Sequence, residues 1–423
     1  MGEFKKWKDL CNHATYQQNK NTSFEKKFRL ADFFNAHWDN YCQKPKHFIK
    51  PEQYKAVNAI RLCRTDALGK DIYSCLDCNQ TIEIKHNCKN RFCPTCSWND
   101  TMKWGDTMQK MLLNIPHRHV VMTLPHGLNN LVILNQKVLT DALLEISANI
   151  MSEHLLKKFD IKAGVIAVLH TFGEKKNIHL HVHMIVSWGG ISAKSLELVD
   201  VKNQYVHFNE VKEQFKNKYL QRIEKLYKKK ELVHRFLNKE SFDKFINNHK
   251  NQKWILHLEP PVKIPTQVIV YIGRYSKRAC LSEYKITNIE GETIAFRYKD
   301  YKEKDLNGKP VEKNLELHYN DFFPLLLQHV PLPYFRMVRY YGIYNHRSKF
   351  NKKYLFVNQP KTEQQIIEVQ PQAIELNDIN VCITCKGTMI YIQTLMTRST
   401  HKEMIYIKKT LKKRNENILK NVA

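Results

Sequence analysis

The chain has 423 residues, with 68 Lys and Arg against 41 Asp and Glu and a formal net charge of +27. At 43% hydrophobic and 26% charged residues it has the composition of a globular protein with room for two or three cores, and it contains no run of roughly 18 apolar residues that could span a membrane. The N-terminal "MGEFKKWKDLCNHATYQQNK" lacks the apolar stretch of a secretory signal, so a cytoplasmic setting is expected, and the basic excess points to a polyanion, nucleic acid before an anionic membrane surface.

Residues 1–60 read as helical, with Phe33, Phe34, Trp38 and Tyr41 at helical spacings that suit a core. Residues 61–100 are dense in cysteine. "HRHVVMTLPH" (117–126) predicts a short strand and residues 130–158 carry helical periodicity. "GVIAVLHTF" (164–172) and "IHLHVHMIVSW" (178–188) predict two strands, joined by the turn "GEKKN" into a hairpin. Residues 205–252 are Lys-rich and read as exposed helix, and "WILHLEPP" (254–261) as a strand. "PTQVIVYIGRYSKRAC" (265–280) suits a helix that starts at Pro265, and "ETIAFRYKDY" (292–301) a β element. "IIEVQPQAIELNDIN" (366–380) is acidic and reads as a linker, and the last 25 residues are basic.

Six of the eleven cysteines lie between Cys63 and Cys96. A reducing compartment disfavours disulfides, so the cluster points to metal. Cys75 and Cys78 form one C-x-x-C and Cys93 and Cys96 another, separated by fourteen residues. Two such knuckles offer four thiolates to one zinc ion, and four protein ligands leave no open position, so the expected site is structural. Cys63, His86 and Cys88 lie nearby and could hold a second ion or simply pack. Lys89, Asn90 and Arg91, inside "HNCKNRFCPTC", are placed to contact phosphates.

"IHLHVHMIV" puts His179, His181 and His183 on one face of a strand and Ile178, Leu180, Val182 and Met184 on the other. Neighbours two apart are about 6.6 Å apart along the strand, close enough to share an ion, while the outer two histidines are about 13 Å apart. The third ligand is therefore expected from elsewhere. A four-residue turn from Glu174 to Asn177 would set His170 opposite His181 on the same face. That gives a three-histidine site with open positions, the arrangement of a catalytic rather than a structural ion. The bland alternative is a satisfied polar sheet face. Downstream, "YIGRYSKR" spaces Tyr271 and Tyr275 four apart, on one face of a helix, among Arg274, Lys277 and Arg278. A phenol needs its anion stabilised before it attacks, and nearby cations favour that.

A His-hydrophobe-His strand followed by a helix that carries tyrosines resembles the HUH single-strand endonucleases. The order "CRTDALGKDIYSCLDC…HNCKNRFCPTC", "HTFGE…HLHVHMIVSWGG", "YIGRYSKR", "FRYKDY" and "HVPLPYFRMVRYYGIYNHR" resembles the rolling-circle transposases of the insertion sequence 91 family over roughly residues 55–350. "CITCKG" (Cys382, Cys385) resembles a cysteine pair found late in such proteins and has no second pair near it in sequence.

The resemblance implies an α+β fold, with an HUH-type antiparallel sheet flanked by helices, an N-terminal helical and zinc-ribbon domain, and a basic C-terminal region. It implies that His181 and His183 are the metal-binding pair, with His170 placed to supply a third ligand. His179, just before the pair, would stand behind the ligands without binding the ion itself. Tyr271 and Tyr275 would be the nucleophiles, and Lys89, Arg91, Arg274, Lys277 and Arg278 would meet DNA. The implied cofactors are magnesium or manganese at the nuclease site and structural zinc on Cys75, Cys78, Cys93 and Cys96. The implied activity cuts and rejoins single-stranded DNA, with hairpin-bearing element ends, through 5′-phosphotyrosine.

The expected organisation is 1–110, helical and zinc-binding; 111–300, nuclease; 301–365, a family-specific extension; and 366–423, linker and basic tail. Three rivals remain open at this point. They are a plasmid replication initiator or relaxase of the same chemistry, a non-catalytic zinc protein that binds nucleic acid, and a phosphohydrolase in which water replaces tyrosine.

Overall fold

The computed structural model describes residues 28–44, 48–201, 208–262, 279–348 and 381–396. In chain order the elements begin with α1 (Leu30–Gln43), α2 (Pro51–Leu62), β1 (Lys70–Cys75), β2 (Thr81–Lys85) and α3 (Pro94–Met111). Then come β3 (His117–Thr123), α4 (Asn129–Leu134), α5 (Gln136–Phe159), β4 (Ile161–Lys162), β5 (Gly164–Phe172) and β6 (Ile178–Ser187). After them follow β7 (Gly189–Ser192), β8 (Leu198–Asp200), α6 (Phe208–Lys228), α7 (Lys239–Asn251) and β9 (Ile255–Leu258). The last are β10 (Ile286–Glu290), β11 (Thr293–Lys304), β12 (Pro310–His318), α8 (Tyr319–Leu327), β13 (Val338–Gly342) and β14 (Met389–Leu395). The fold is α+β, with antiparallel sheets flanked by helices.

The chain forms two compact units, each discontinuous in sequence. One contains, among the described residues, 99–201, 208–262 and 331–348. Its centre is a five-stranded sheet in the order β13-β5-β6-β3-β9, antiparallel throughout. Alternation sends Val165, Ala167 and Leu169 of β5 and Leu180, Val182, Met184 and Val186 of β6 to one face. They join a core with Leu139, Leu143 and Ile150 of α5 and Phe215 and Tyr219 of α6. On the opposite face Ile166, Val168 and Ile185 pack with Trp104 and Met108 of α3 and with Ile343 and Tyr344. Both faces being covered, β5 reads as a continuous apolar run rather than an alternating one. Helix α5 stops at Asp160, whose left-handed φ of 58° lets its backbone N–H bond back to Leu155 and Leu156.

The other unit contains, among the described residues, 28–44, 48–98, 279–330 and 381–396. It holds two three-stranded sheets, β14-β1-β2 and β10-β11-β12. The aromatic stripe of α1 is core here: Phe33 and Phe34 meet Phe323 of α8 at ring-centroid distances of 5.5 and 5.0 Å, and Phe33 meets Phe322 at 5.8 Å.

These units do not follow the boundaries expected from sequence at 110, 300 and 365. Residues 279–330 belong with the N-terminal segment because α8 supplies its aromatic partners. Residues 331–348 belong with the central sheet because β13 forms its edge, with Val338 opposite Val168. Those contacts join distant segments, so no local change in composition marks them.

Candidate functional site

The β5–β6 hairpin is closed by Gly173–Asn177, where the Gly173 N–H donates to the Asn177 carbonyl at 3.0 Å. Phe172 pairs with Ile178, a bulge next to the turn takes one extra residue on β6, and beyond it His170 pairs with His181. The turn is thus longer than the four residues predicted, and the bulge restores the expected alignment. Ligand atoms of His170, His181 and His183 all lie within 4.8 Å of one another. The ring centroids are 4.5 Å apart for His170 and His183, 4.9 Å for His181 and His183, and 5.2 Å for His170 and His181. His179 falls outside this group. Its ring stands beside His126, at 5.3 Å.

Hydrogen bonds orient two of the rings. Nδ1 of His181 donates to the His179 carbonyl at 2.8 Å, which leaves Nε2 with its lone pair for an ion. Nδ1 of His183 meets Nε2 of His119 at 2.8 Å, and Nδ1 of His119 stands 3.2 Å from the Glu259 carboxylate. The carboxylate beside Nδ1 of His119 favours a proton there, so Nε2 of His119 accepts from Nδ1 of His183, and the lone pair of His183 then lies on Nε2. Burial pushes His119, His181 and His183 below the ordinary imidazole range, and around His181 and His183 the neighbouring imidazoles add to it. Neutral rings close together in this way are the form that binds a cation.

Three imidazole nitrogens suit a first-row divalent ion better than magnesium, which favours oxygen donors in octahedral array. His119 and Glu259 were not singled out from sequence. The signal available was the alternation His117-x-His119, which puts His119 on the histidine face once β3 is registered against β6, with Val121 opposite His183.

The cysteines assemble differently from the spacing argument. Cys75 and Cys78 do not meet Cys93 and Cys96. One four-sulfur group is Cys63, Cys88, Cys93 and Cys96, and another is Cys75, Cys78, Cys382 and Cys385. In the first, the Cys96 sulfur lies 3.6 Å from both Cys63 and Cys88. The Cys63 thiol is held low by hydrogen bonding with Cys88, whereas that of Cys93 is pushed up beside Cys63. The physical reason for the correction is the sheet. Strands β1 and β2 turn the first knuckle away, while Cys63 at the end of α2 and Cys88 after β2 close on the second.

His86 is in neither group; it bonds to Asp71 at 3.0 Å and to the Leu68 carbonyl at 3.1 Å. Lys89 and Arg91 are exposed, between Cys88 and Cys93. Tyr271, Tyr275, Arg274, Lys277 and Arg278 lie outside the described residues, as do the proposed linker 366–380 and most of the basic tail. Among the described residues no helix is long and apolar enough to cross a membrane.

Two family models match the chain. One, described as "Transposase zinc-binding domain", covers residues 33–124, and the other, described as "Putative transposase", covers residues 164–352. The chain is 27% identical to "Putative transposase y4qJ" of Sinorhizobium fredii over 76% of its own length and 82% of that protein's. It is also 27% identical to the transposase of insertion sequence element IS801 from Pseudomonas savastanoi pv. phaseolicola, over 71% of its own length and 72% of the relative's. No solved structure matches the chain. The first match spans the first cysteine group and the second spans the histidine hairpin, and together with the two relatives they show that the chain belongs to the insertion sequence 91 family of transposases and carries its zinc-binding domain.

Proposed function

We propose that this transposase cuts and rejoins single-stranded DNA through 5′-phosphotyrosine intermediates, in metal-dependent rolling-circle transposition. The observation that supports this most is the convergence of His170, His181 and His183 on one face of the central sheet, with hydrogen bonds that engage Nδ1 of His181 and of His183. These three residues would hold a divalent ion, manganese in preference to magnesium on the donor chemistry. Such an ion, when bound, polarises the scissile phosphate.

The chain's own residues do the rest. Tyr271 or Tyr275 attacks phosphorus through its phenolate oxygen and forms the phosphotyrosine ester. The 3′ oxygen leaves and takes up a proton to become a hydroxyl. The ester keeps the bond energy, so a 3′-hydroxyl can reverse the step without ATP. Two tyrosines would allow one DNA end to be held while the other is cut. Arg274, Lys277 and Arg278 would stabilise the phenolate and the phosphate, and exposed Lys89 and Arg91 would contact the backbone of hairpin-bearing ends. The first cysteine group, on Cys63, Cys88, Cys93 and Cys96, would hold a structural zinc that shapes this surface.

The test is a denaturing gel for a covalent protein–DNA adduct, with single-stranded element ends and manganese. Loss of the adduct in the double variant Tyr271→Phe/Tyr275→Phe and in His181→Ala is expected, and the single variants assign the nucleophile. Cleavage without an adduct would instead mean hydrolysis by water.

A further inference from the structure

Two cysteine pairs about 300 residues apart form one four-sulfur cage. The Cys75 sulfur lies 3.4 Å from that of Cys385, and the Cys78 sulfur lies 3.7 Å from that of Cys382. A tetrahedron of thiolates around zinc, with bonds of about 2.3 Å, has an edge of about 3.8 Å. A disulfide needs about 2.05 Å. The spacing therefore fits four ligands around an ion and not two bridges.

The two pairs are also built alike. The Cys75 N–H donates to the Gln80 carbonyl at 2.9 Å, and the Cys382 N–H donates to the Gly387 carbonyl at 2.8 Å. The Cys75 carbonyl accepts from Asn79 at 3.1 Å, and the Cys382 carbonyl from Lys386 at 3.0 Å. Asn79 and Lys386 both take a left-handed φ, 58° and 64°. Each pair is thus a knuckle with the same backbone wrap, and the two face each other. They approach so closely that a Cβ added at Gly387 would run into the Asp77 side chain. The Leu76 N–H donates to the Thr388 carbonyl at 3.0 Å, and strand β14 continues alongside β1 with Met389 opposite Cys75.

We infer that Cys75, Cys78, Cys382 and Cys385 bind a second zinc ion, which fastens strand β14 to β1 and so closes the chain into a loop of some three hundred residues around the whole nuclease segment. This is independent of the reading of the histidine site. Binding replaces the four thiol protons by one ion, so a neutral set of thiols releases four protons. One short strand returning from so far along the chain meets a large loop-closure entropy, and a metal bond offsets it where a few ladder hydrogen bonds would be marginal. Cys75 and Cys382 are buried whereas Cys78 and Cys385 are exposed, so a chelator in solution can reach the ion.

The experiment measures metal content of the full-length protein by mass spectrometry, together with hydrogen exchange of Met389–Leu395. Zinc content is expected to fall by one ion per chain in Cys382→Ser/Cys385→Ser, with exchange in β14 at least tenfold faster and exchange in β5 and β6 unchanged. Should that variant fail to fold, stepwise chelation of the wild-type protein reads the same two quantities. The loss of the more accessible ion should release β14. Unchanged zinc content in the serine variant, disulfide-linked cysteines without metal, or zinc loss that leaves β14 protected would each overturn the inference.

Discussion

His119 and His183 lie edge to edge across strands β3 and β6, their rings 4° from parallel, with 2.8 Å between Nε2 of one and Nδ1 of the other. The Glu259 carboxylate stands 3.2 Å from Nδ1 of His119. His119 touches no ion in the proposed arrangement; it is a positioning residue that fixes the tautomer of a ligand. Such partners typically change metal affinity about 10–100-fold. His119→Ala should therefore raise the manganese concentration needed for half-maximal adduct formation by about that factor. Saturating manganese should restore most of the rate. A lost rate at every manganese concentration would mean that His119 acts in some other way.

The donor set carries a second expectation. Three neutral imidazoles within 4.8 Å favour manganese or a later first-row ion, since magnesium gains little from nitrogen. Adduct formation should need at least about tenfold less manganese than magnesium. His170→Asp, which adds an oxygen donor and a charge, should narrow that gap. Titration of both ions against both proteins tests this, and equal requirements in the wild-type protein would argue against three histidine ligands.

How much of this was legible in the sequence depended on distance along the chain. The hairpin could be read because the alternation of histidines and the length of one turn fix its register locally, and His170 does stand opposite His181. The relay through His119 needs the register of β3 against β6, which no turn encodes, since α5 and other elements intervene. The cysteines show the same limit. A C-x-x-C spacing dictates a knuckle, but which knuckles meet is decided by the β1–β14 ladder and by single cysteines such as Cys63 and Cys88 that carry no spacing signal. The first unit's edge strand β13, and the aromatic partners that α8 brings to α1, are likewise long-range.

Buried His117 gives a pH dependence. Its Nδ1 donates to the Ile115 carbonyl at 2.8 Å, and its Nε2 accepts from the Tyr344 hydroxyl at 2.6 Å. Burial pushes it down to about 4 from an ordinary 6.5. The folded protein therefore resists a proton that the unfolded chain takes up. Stability from this residue is fully present above pH 6.5 and declines as pH falls from 6.5 towards about 4, by about 3 kcal/mol in all. Replacing His117 by Asn should flatten the slope of stability against pH in that window by about one proton. Urea midpoints at half-unit pH steps would show it, and an unchanged slope would mean that His117 already titrates normally when folded.

The same tyrosine sets the last expectation, at Gly164. This residue begins β5, and its backbone N–H donates to the Ser187 hydroxyl at 2.8 Å. A Cβ there would come within 2.5 Å of two Tyr344 ring carbons and within 2.8 Å of Ile343 Cγ1. The ring has little freedom to yield, because its fully buried hydroxyl donates to His117 and accepts from the Leu113 N–H at 3.3 Å. Gly164→Ala should thus destabilise the sheet unit by about 1–3 kcal/mol through overpacking. Tyr344→Phe should cost about 1–3 kcal/mol for a different reason, since it leaves Nε2 of His117 and the Leu113 N–H without partners. Combining Gly164→Ala with Tyr344→Leu, which removes the obstructing ring, should give less destabilisation than the sum of the two single changes. A strictly additive result in a double-mutant cycle would show that the ring was not what kept a side chain out of position 164.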